Sequence, residues 1–442
     1  MQKENPALPA GGGGVSLFGV RLAHRHYALA LLTFVYVVNY LDRQILSILL
    51  QPIKEEFGVS DTALGFLSGI TFAVFYATLG IPIAMLADRF SRKKIIAVSL
   101  TLFSVMTVAC GMVVQFWQLV LARIGVGIGE AGTSPPSHSI IADLYPPEKR
   151  ATALAIFSAG LNVGIMIGFF GGGLVNELYG WRVAFLCAGL PGLFLAFAVL
   201  VTLKEPQRGH SEGLAASSDA PRFFEVARTL WQQRSFRHIA FGAAMNAFAG
   251  YGAVTFTPAF LYRSHGLSTA EIGTALALIY GVAGGAGTFL AGYFADRFSR
   301  GGVQWNMYVP AIAILAVVPF GFVFYLHPNM IVALCAAVLP SMAGAVYLGP
   351  CLSMTQGLVP LRMRATAAAV LLFVINIIGL GLGPQTVGLV SDLLNPSLGQ
   401  DSLRWALLIA GVGNIWSALH FYLASRTLKA DLAKVRNTVH RA

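Results

Sequence analysis

Four ionisable side chains sit in stretches that otherwise carry almost no charge: Asp42 and Arg43 as neighbours, and Arg123 and Glu130 seven residues apart. On a helix turning about 100° per residue, seven positions return to one face, roughly 10 Å further along the axis. An arginine keeps its charge and needs a carboxylate or an anionic ligand, whereas a glutamate can bind a proton and become neutral. Two such groups on one surface suit coupling, because a proton on the acid changes which partner the base can hold. The expected proton-coupling set is Glu130 as protonation site, Arg123 as its switchable counter-ion and as anchor for an anionic solute, and Asp42 as a second acid competing for Arg123. Arg43 either shares in this or simply neutralises Asp42.

The elements that must carry these groups are membrane helices. Of the 442 residues, 56% are hydrophobic and 11% charged, about half the charged share of a soluble domain. Apolar runs of about twenty residues recur from Tyr27 to Leu423, each able to cross a hydrocarbon layer about 30 Å thick. Backbone groups in that layer must bond within their own segment, and runs such as 95–110 and 309–326 lack the alternation of barrel strands. The reading is an all-α membrane protein with twelve spans, near 27–50, 62–87, 95–115, 117–141, 151–176, 183–203, 237–261, 270–295, 303–326, 329–357, 365–391 and 403–425. The connections alternate in basicity. Of the 30 Lys and Arg, only Lys54, Arg182 and Arg263 in connections and Arg404 at the very start of the last span lie on one side, so the positive-inside rule puts both termini in the cytoplasm. The net charge of +11 then implies anionic lipid headgroups as partners and no nucleic acid. Cys110, Cys187, Cys335 and Cys351 lie singly in apolar spans and read as packing residues. The first run follows Arg21 and Arg25, but no small-residue cleavage site follows it, so it is read as a span and not a leader.

Residues 1–26 read as a cytoplasmic tail, disordered before about Val20. Residues 27–203 and 237–425 form two six-helix bundles, and 426–442 a basic cytoplasmic tail. In the linker 204–236, Phe223, Val226, Leu230 and Trp231 recur at helical spacing among Arg222, Arg228 and Arg234, the pattern of an amphipathic helix on the inner leaflet. The bundles repeat each other. ADRFSR occurs at Ala87 to Arg92 and again at Ala295 to Arg300, an offset of 208 at which Gly58, Ser60 and Gly65 also meet Gly266, Ser268 and Gly273. Later the offset is 214: Pro136, Pro146 and Arg150 meet Pro350, Pro360 and Arg364, and Asn162 meets Asn376. Parallel six-helix repeats with a solute site between them are a transporter architecture. The repeat is also an internal control, because Asp42, Arg123 and Glu130 fall opposite Gly250, Ala337 and Gly344. A charge needed by the fold would recur in both copies, so the asymmetry points to coupling.

The segment Asp88 to Lys94, DRFSRKK, resembles the loop signature of the major facilitator superfamily, in which an acid follows a small residue by four. Ala84 takes the usual glycine place in the first copy, and Gly292 keeps it before Asp296 in the second. An acid at a helix end beside arginines can pair with basic groups or a helix N-terminus of the other half, so Asp88, Arg89, Arg92, Asp296, Arg297 and Arg300 are expected to gate the cytoplasmic side. NYLDRQILS (Asn39 to Ser47), FGVSDTALGFLSG (Phe57 to Gly69) and RIGVGIGEAGTSPP (Arg123 to Pro136) resemble bacterial members of the spinster family, relatives of the animal lysolipid and sphingosine-phosphate exporters. Organic anion:cation symporters share a similar NYLDR and GEA. Gly164, Gly168, Gly172 and Gly173 resemble a glycine motif of facilitator antiporters with Phe169 in place of its proline, which leans toward exchange as readily as toward tight packing.

The resemblance implies alternating access by a major facilitator fold in the inner membrane. The expected function is proton-coupled secondary active transport of amphiphilic, lipid-like or hydrophobic anionic solutes by a monomer, with a lean toward antiport. Asn246, Tyr251, Tyr280, Tyr347 and Asn376 are the polar groups expected to line the second half of the cavity. His138, after Pro135 and Pro136, reads as a satisfied helix-end histidine. No Walker loop, metal-ligand spacing or nucleophile elbow occurs, so neither an enzyme nor a cofactor is expected. The alternatives are an organic anion:proton symporter and, in another class, a membrane sensor built on the same fold.

Overall fold

The computed structural model describes residues 15–17, 20–22, 24–207, 223–299 and 301–439. Two short strands, β1 (Val15–Leu17) and β2 (Val20–Leu22), pair antiparallel with Ser16 opposite Arg21. They lie in the tail expected to lack order, where valine and leucine at alternate positions favour extended backbone. The rest is helical.

The first half comprises α1 (His24–Phe57), α2 (Asp61–Ser68), α3 (Ile70–Arg89), α4 (Arg92–Cys110), α5 (Phe116–Glu130), α6 (Ser134–Leu144), α7 (Pro147–Tyr179) and α8 (Trp181–Thr202). A linker helix α9 (Phe223–Trp231) follows. The second half comprises α10 (Arg234–His265), α11 (Thr269–Leu276), α12 (Gly284–Ser299), α13 (Trp305–Leu326), α14 (Met330–Ala343), α15 (Leu348–Gly357), α16 (Arg364–Ile375), α17 (Gly383–Leu398) and α18 (Ser402–Val439). Among the described residues, ten helical stretches are long and apolar enough to cross a membrane. Arg364–Val435 counts as one of them although a turn at Gly399–Asp401 divides it, and the apolar segment 116–144 falls in two pieces.

Local chemistry sets the breaks. Ser60 accepts from the Ala63 N–H at 3.1 Å and Ser268 from the Glu271 N–H at 3.3 Å, so the repeat-matched serines cap repeat-matched helices. Pro135 and Pro136 lack the N–H that would continue the ladder of α5 into α6, which leaves Glu130 at the last turn of α5. Gly69 separates α2 from α3, and its counterpart 208 positions on, Ala277, begins a π-helical stretch, Ala277–Ala283, that joins α11 to α12. A second π-helical stretch, Asn376–Leu382, joins α16 to α17.

Three buried apolar clusters hold the molecule together. One lies in the first half around Phe103 and Phe157, one in the second half around Phe236 and Phe421. The third crosses between halves, from Ile48 and Phe185 to Phe260 and Leu407. Helix α9 sets Val226 and Leu230 into the second-half cluster and leaves Phe224 and Trp231 exposed. Part of its apolar face therefore rests on protein and part remains at the surface.

Candidate functional site

The four charges inside the first half form two separate pairs. Asp42 is fully buried and accepts from Arg123 Nη1 at 2.8 Å and from Thr107 Oγ1 at 2.5 Å. Arg43 donates through Nε to Glu130 Oε2 at 2.7 Å. The Asp42–Arg123 pair is the one expected once Arg123 leaves Glu130, whereas the partner that Glu130 holds here, Arg43, was not foreseen. Neighbours on α1 point about 100° apart, so Asp42 and Arg43 reach opposite ends of the Arg123 to Glu130 surface instead of each other. The Arg43 guanidinium also lies 5.0, 4.8 and 4.6 Å from the ring centroids of Tyr40, Phe72 and Tyr76, contacts that favour a planar cation. Two atoms in the cluster lack partners among the described residues, Glu130 Oε1 and Arg123 Nε. Next to it Asn39 donates to Thr133 at 2.5 Å, tying α1 to the turn between α5 and α6.

Beside the cluster a cavity of about 420 Å³ opens between the halves, within the range of small-molecule sites. Asn246, Tyr251, Tyr280 and Tyr347 line it as expected by sequence, whereas Asn376 does not and its repeat partner Asn162 does. Tyr40, Gln44, Thr288, Tyr325, Ser341 and Asn414 were missed. Tyr40 and Gln44 flank Asp42 and Arg43 on α1, a signal the sequence did offer. Asn246 donates to Asn414 at 3.2 Å. Arg123 lies outside the wall, 2% exposed behind Asp42, so in this conformation it touches no solute. Gly164 and Gly168 pack on the Val37 to Gln44 stretch of α1 and Gly173 on Thr269 of α11, so the glycine series is tight helix packing here. His138 bonds the Ser134 carbonyl at 2.9 Å.

Bonds between the halves gather at the end of the bundle away from both termini. Asp61, in the first turn of α2, receives Arg263 of α10 through two bonds of 2.7 and 2.8 Å, and Ser391 of α17 at 2.7 Å. Asp392 of α17 caps α2 in return, accepting from the N–H groups of Asp61 and Thr62 at 3.0 and 2.7 Å. Glu177 of α7 does the same for α11, accepting from the Ala270 N–H at 2.9 Å. Thr62 and Ala270 are repeat partners at the 208 offset, so each half caps a helix of the other. The four basic residues set apart by sequence all pair here or nearby: Lys54 and Arg263 with Asp61, Arg182 with Glu56, and Arg404 with Asp401.

At the opposite end, Arg92 is buried and donates to Asp143 at 2.5 Å, Ser139 at 2.8 Å, the Pro206 carbonyl at 2.8 Å and Glu205. All these partners belong to the first half and the linker that follows it, so in this conformation Arg92 braces that half. Burial alone would raise the Glu205 carboxyl, but hydrogen bonds from Ser91 and from the backbone and side chain of Arg92 hold it below its usual value. Arg89 and Arg297 are exposed. The side chains of Asp88 and Asp296, and Arg300 altogether, lie outside the described residues.

Comparison with known proteins places the fold in a family. The model of the Major Facilitator Superfamily matches residues 32–384. An MFS-type efflux pump of Mycolicibacterium smegmatis is 33% identical over 92% of this chain and 94% of its own length. The sphingosine-1-phosphate transporter SPNS2 of Xenopus tropicalis is 28% identical over 87% of this chain and 77% of its own. The crystal structure of a bacterial homologue of the human lysosomal transporter Spinster, inward-facing and unoccupied, superposes with a TM-score of 0.83 at 32% identity, covering 93% of this chain and 99% of that one. A multi-pass helical bundle in two repeated halves, latched at one end and enclosing a cavity between them, is thus a transporter fold, and the chain belongs to the Major Facilitator Superfamily and resembles its spinster members.

Proposed function

We propose that the chain is a proton-coupled secondary transporter of amphiphilic, lipid-like or hydrophobic anions. It works by alternating access in the inner membrane with both termini in the cytoplasm. Twelve spans follow if Arg364–Val435 is divided at Gly399–Asp401 and 116–144 is counted as one interrupted span. The latched end is then the outer face, held shut.

The observation that carries the reading is the double ion pair buried at the cavity's edge. Charged Glu130 holds Arg43, while Asp42 already occupies Arg123. A proton on Glu130 removes the charge that holds Arg43, the cation whose guanidinium lies 5.0 Å from the ring of Tyr40, a residue of the cavity wall. An anionic headgroup then takes the place of Glu130. Proton and solute bind the same conformer and cross together, which makes co-transport the better reading than the exchange suggested by the glycine spacing. The amphiphilic class is supported by the wall, where valine, leucine, phenylalanine and glycine outnumber the polar groups. A sugar or amino acid would need a partner for each buried hydroxyl or amide, about 1–3 kcal/mol apiece when missing.

The test is reconstitution into liposomes under an imposed pH gradient, offering lysophospholipids, sphingoid phosphates and short carboxylates side by side. Glu130→Gln is expected to lose gradient-driven accumulation while keeping downhill exchange. Equal gradient-driven rates in variant and wild type exclude Glu130 as the coupling site, and a preference for short carboxylates replaces the amphiphile with a small organic anion.

A further inference from the structure

The two buried ion pairs share an aromatic neighbour, Phe72 of α3. Its ring centroid lies 4.8 Å from the guanidinium carbon of Arg43 and 5.8 Å from that of Arg123, each within the roughly 6 Å reach of a cation–π contact. One ring therefore faces both cations. Phe72 is 2% exposed and stacks on Tyr76, one turn further along α3, with centroids 5.3 Å apart and planes 17° from parallel. Its depth is set by Gly127, which lies on α5 between Arg123 and Glu130: a Cβ there would meet the Phe72 carbonyl oxygen at 2.9 Å. Helix α3 is thus pressed onto α5 midway between the two charged residues of that face.

The pairs are near enough to exchange partners. Arg123 and Glu130 lie about 10 Å apart along one face, and Asp42 and Arg43 are neighbours in the chain. If a proton on Glu130 released Arg43 and Asp42 then turned to it, the charge would be settled inside the first half with no solute bound. A carrier in that state could change conformation empty and let its proton slip across. An aromatic ring opposes this in two ways. It offers the carboxylates no hydrogen bond while filling the space beside them, and its face attracts both cations where they already are. We infer that Phe72 is a positioning residue that keeps the two ion pairs apart, so that Arg43, once released by Glu130, is neutralised by an anionic solute and not by Asp42. The inference rests on the coupling reading above and adds to it the group that prevents slip.

The experiment follows proton entry into liposomes that carry the full chain, under an imposed pH gradient, with a potassium ionophore to balance charge, a trapped pH-sensitive dye and no solute. Wild type is expected to pass few protons. Phe72→Leu, which stays apolar but removes the ring, is expected to pass about tenfold more. Adding Glu130→Gln to Phe72→Leu is expected to close the leak, because the slipping proton rides on that carboxyl. Phe72→Tyr keeps the ring, and the repeat places Tyr280 at this position in the other half, so it is expected to leak far less than Phe72→Leu. Melting temperatures report that the variants are folded, and Phe72→Met, which adapts to irregular space, gives a leak of the same sign should the leucine variant not fold. A ring-free variant as tight as wild type, or a leak that survives Glu130→Gln, overturns the inference and leaves Glu130 as the coupling site. Gradient-driven uptake of the lysophospholipid, sphingoid phosphate or carboxylate probes that Glu130→Gln alone leaves unchanged removes the coupling reading, and this inference with it.

Discussion

Asp42 and Glu130 are both buried carboxylates with an arginine partner, yet they differ in what surrounds them. Asp42 has Arg123 and Thr107 on its two oxygens, whereas Glu130 has Arg43 on one and nothing on the other. Removing one member of a satisfied buried pair strands the other charge at a cost of about 3–5 kcal/mol. Asp42→Asn is therefore expected to lower the melting temperature sharply, and adding Arg123→Gln to recover most of the loss. Glu130→Gln is expected to cost less, because Arg43 keeps three aromatic rings and partial exposure. A larger loss from Glu130→Gln than from Asp42→Asn in the same thermal assay would reverse the roles of coupling and structural pair. The acids and arginines were legible in the sequence because charge is rare in these spans. Their pairing was not, since the choice of partner depends on how α1 is rotated against α5.

Two elements, α2 and α11, open the apolar stretches Asp61–Ala87 and Thr269–Ala291 and are each capped by a carboxylate from the opposite half. A cap is typically worth about 1 kcal/mol, and a carboxylate there also meets the positive end of the helix dipole. Asp392→Asn and Glu177→Gln are each expected to shift the conformational balance toward opening of the latched end by roughly that amount, about fivefold in population. Spin-label distances between α2 and α17 measure it, and unchanged distances in both variants would remove the latch role. At the other end, the Glu205 carboxyl is held below its usual value, so its stabilisation is present above the unfolded pKa of about 4.3 and lost as pH falls through the folded value. Glu205→Gln is expected to cost about 1 kcal/mol or less at neutral pH, given the partial exposure of the group. The difference from wild type should vanish in acid; a gap that persists there points to packing in place of charge. Ser60, Ser268 and the paired prolines announced where these helices begin. That Asp392 and Glu177 do the reciprocal capping was not visible, because each lies over 90 residues from the helix it caps.

For the whole molecule, alternating access requires the two halves to separate where they are now joined. A disulfide between Thr62→Cys and Asp392→Cys, positions whose present side chains are in contact at 2.6 Å, is expected to arrest transport, with reductant restoring it. Transport that continues with the bond formed would mean that this end need not open.

The sequence by itself determined the class of molecule, its two repeated halves, the charges worth attention and a few of the polar residues beside the cavity. Those properties follow from composition, spacing and local helix chemistry, which act along the chain. Only the tertiary structure decided that Arg43 serves Glu130, that Arg92 braces its own half, that Asn162 and not Asn376 faces the cavity, and that the ring of Phe72 lies against both buried arginines. Each of these depends on the rotation and depth at which one helix meets another. That geometry is fixed by packing over the entire bundle and leaves little trace in any single stretch of residues.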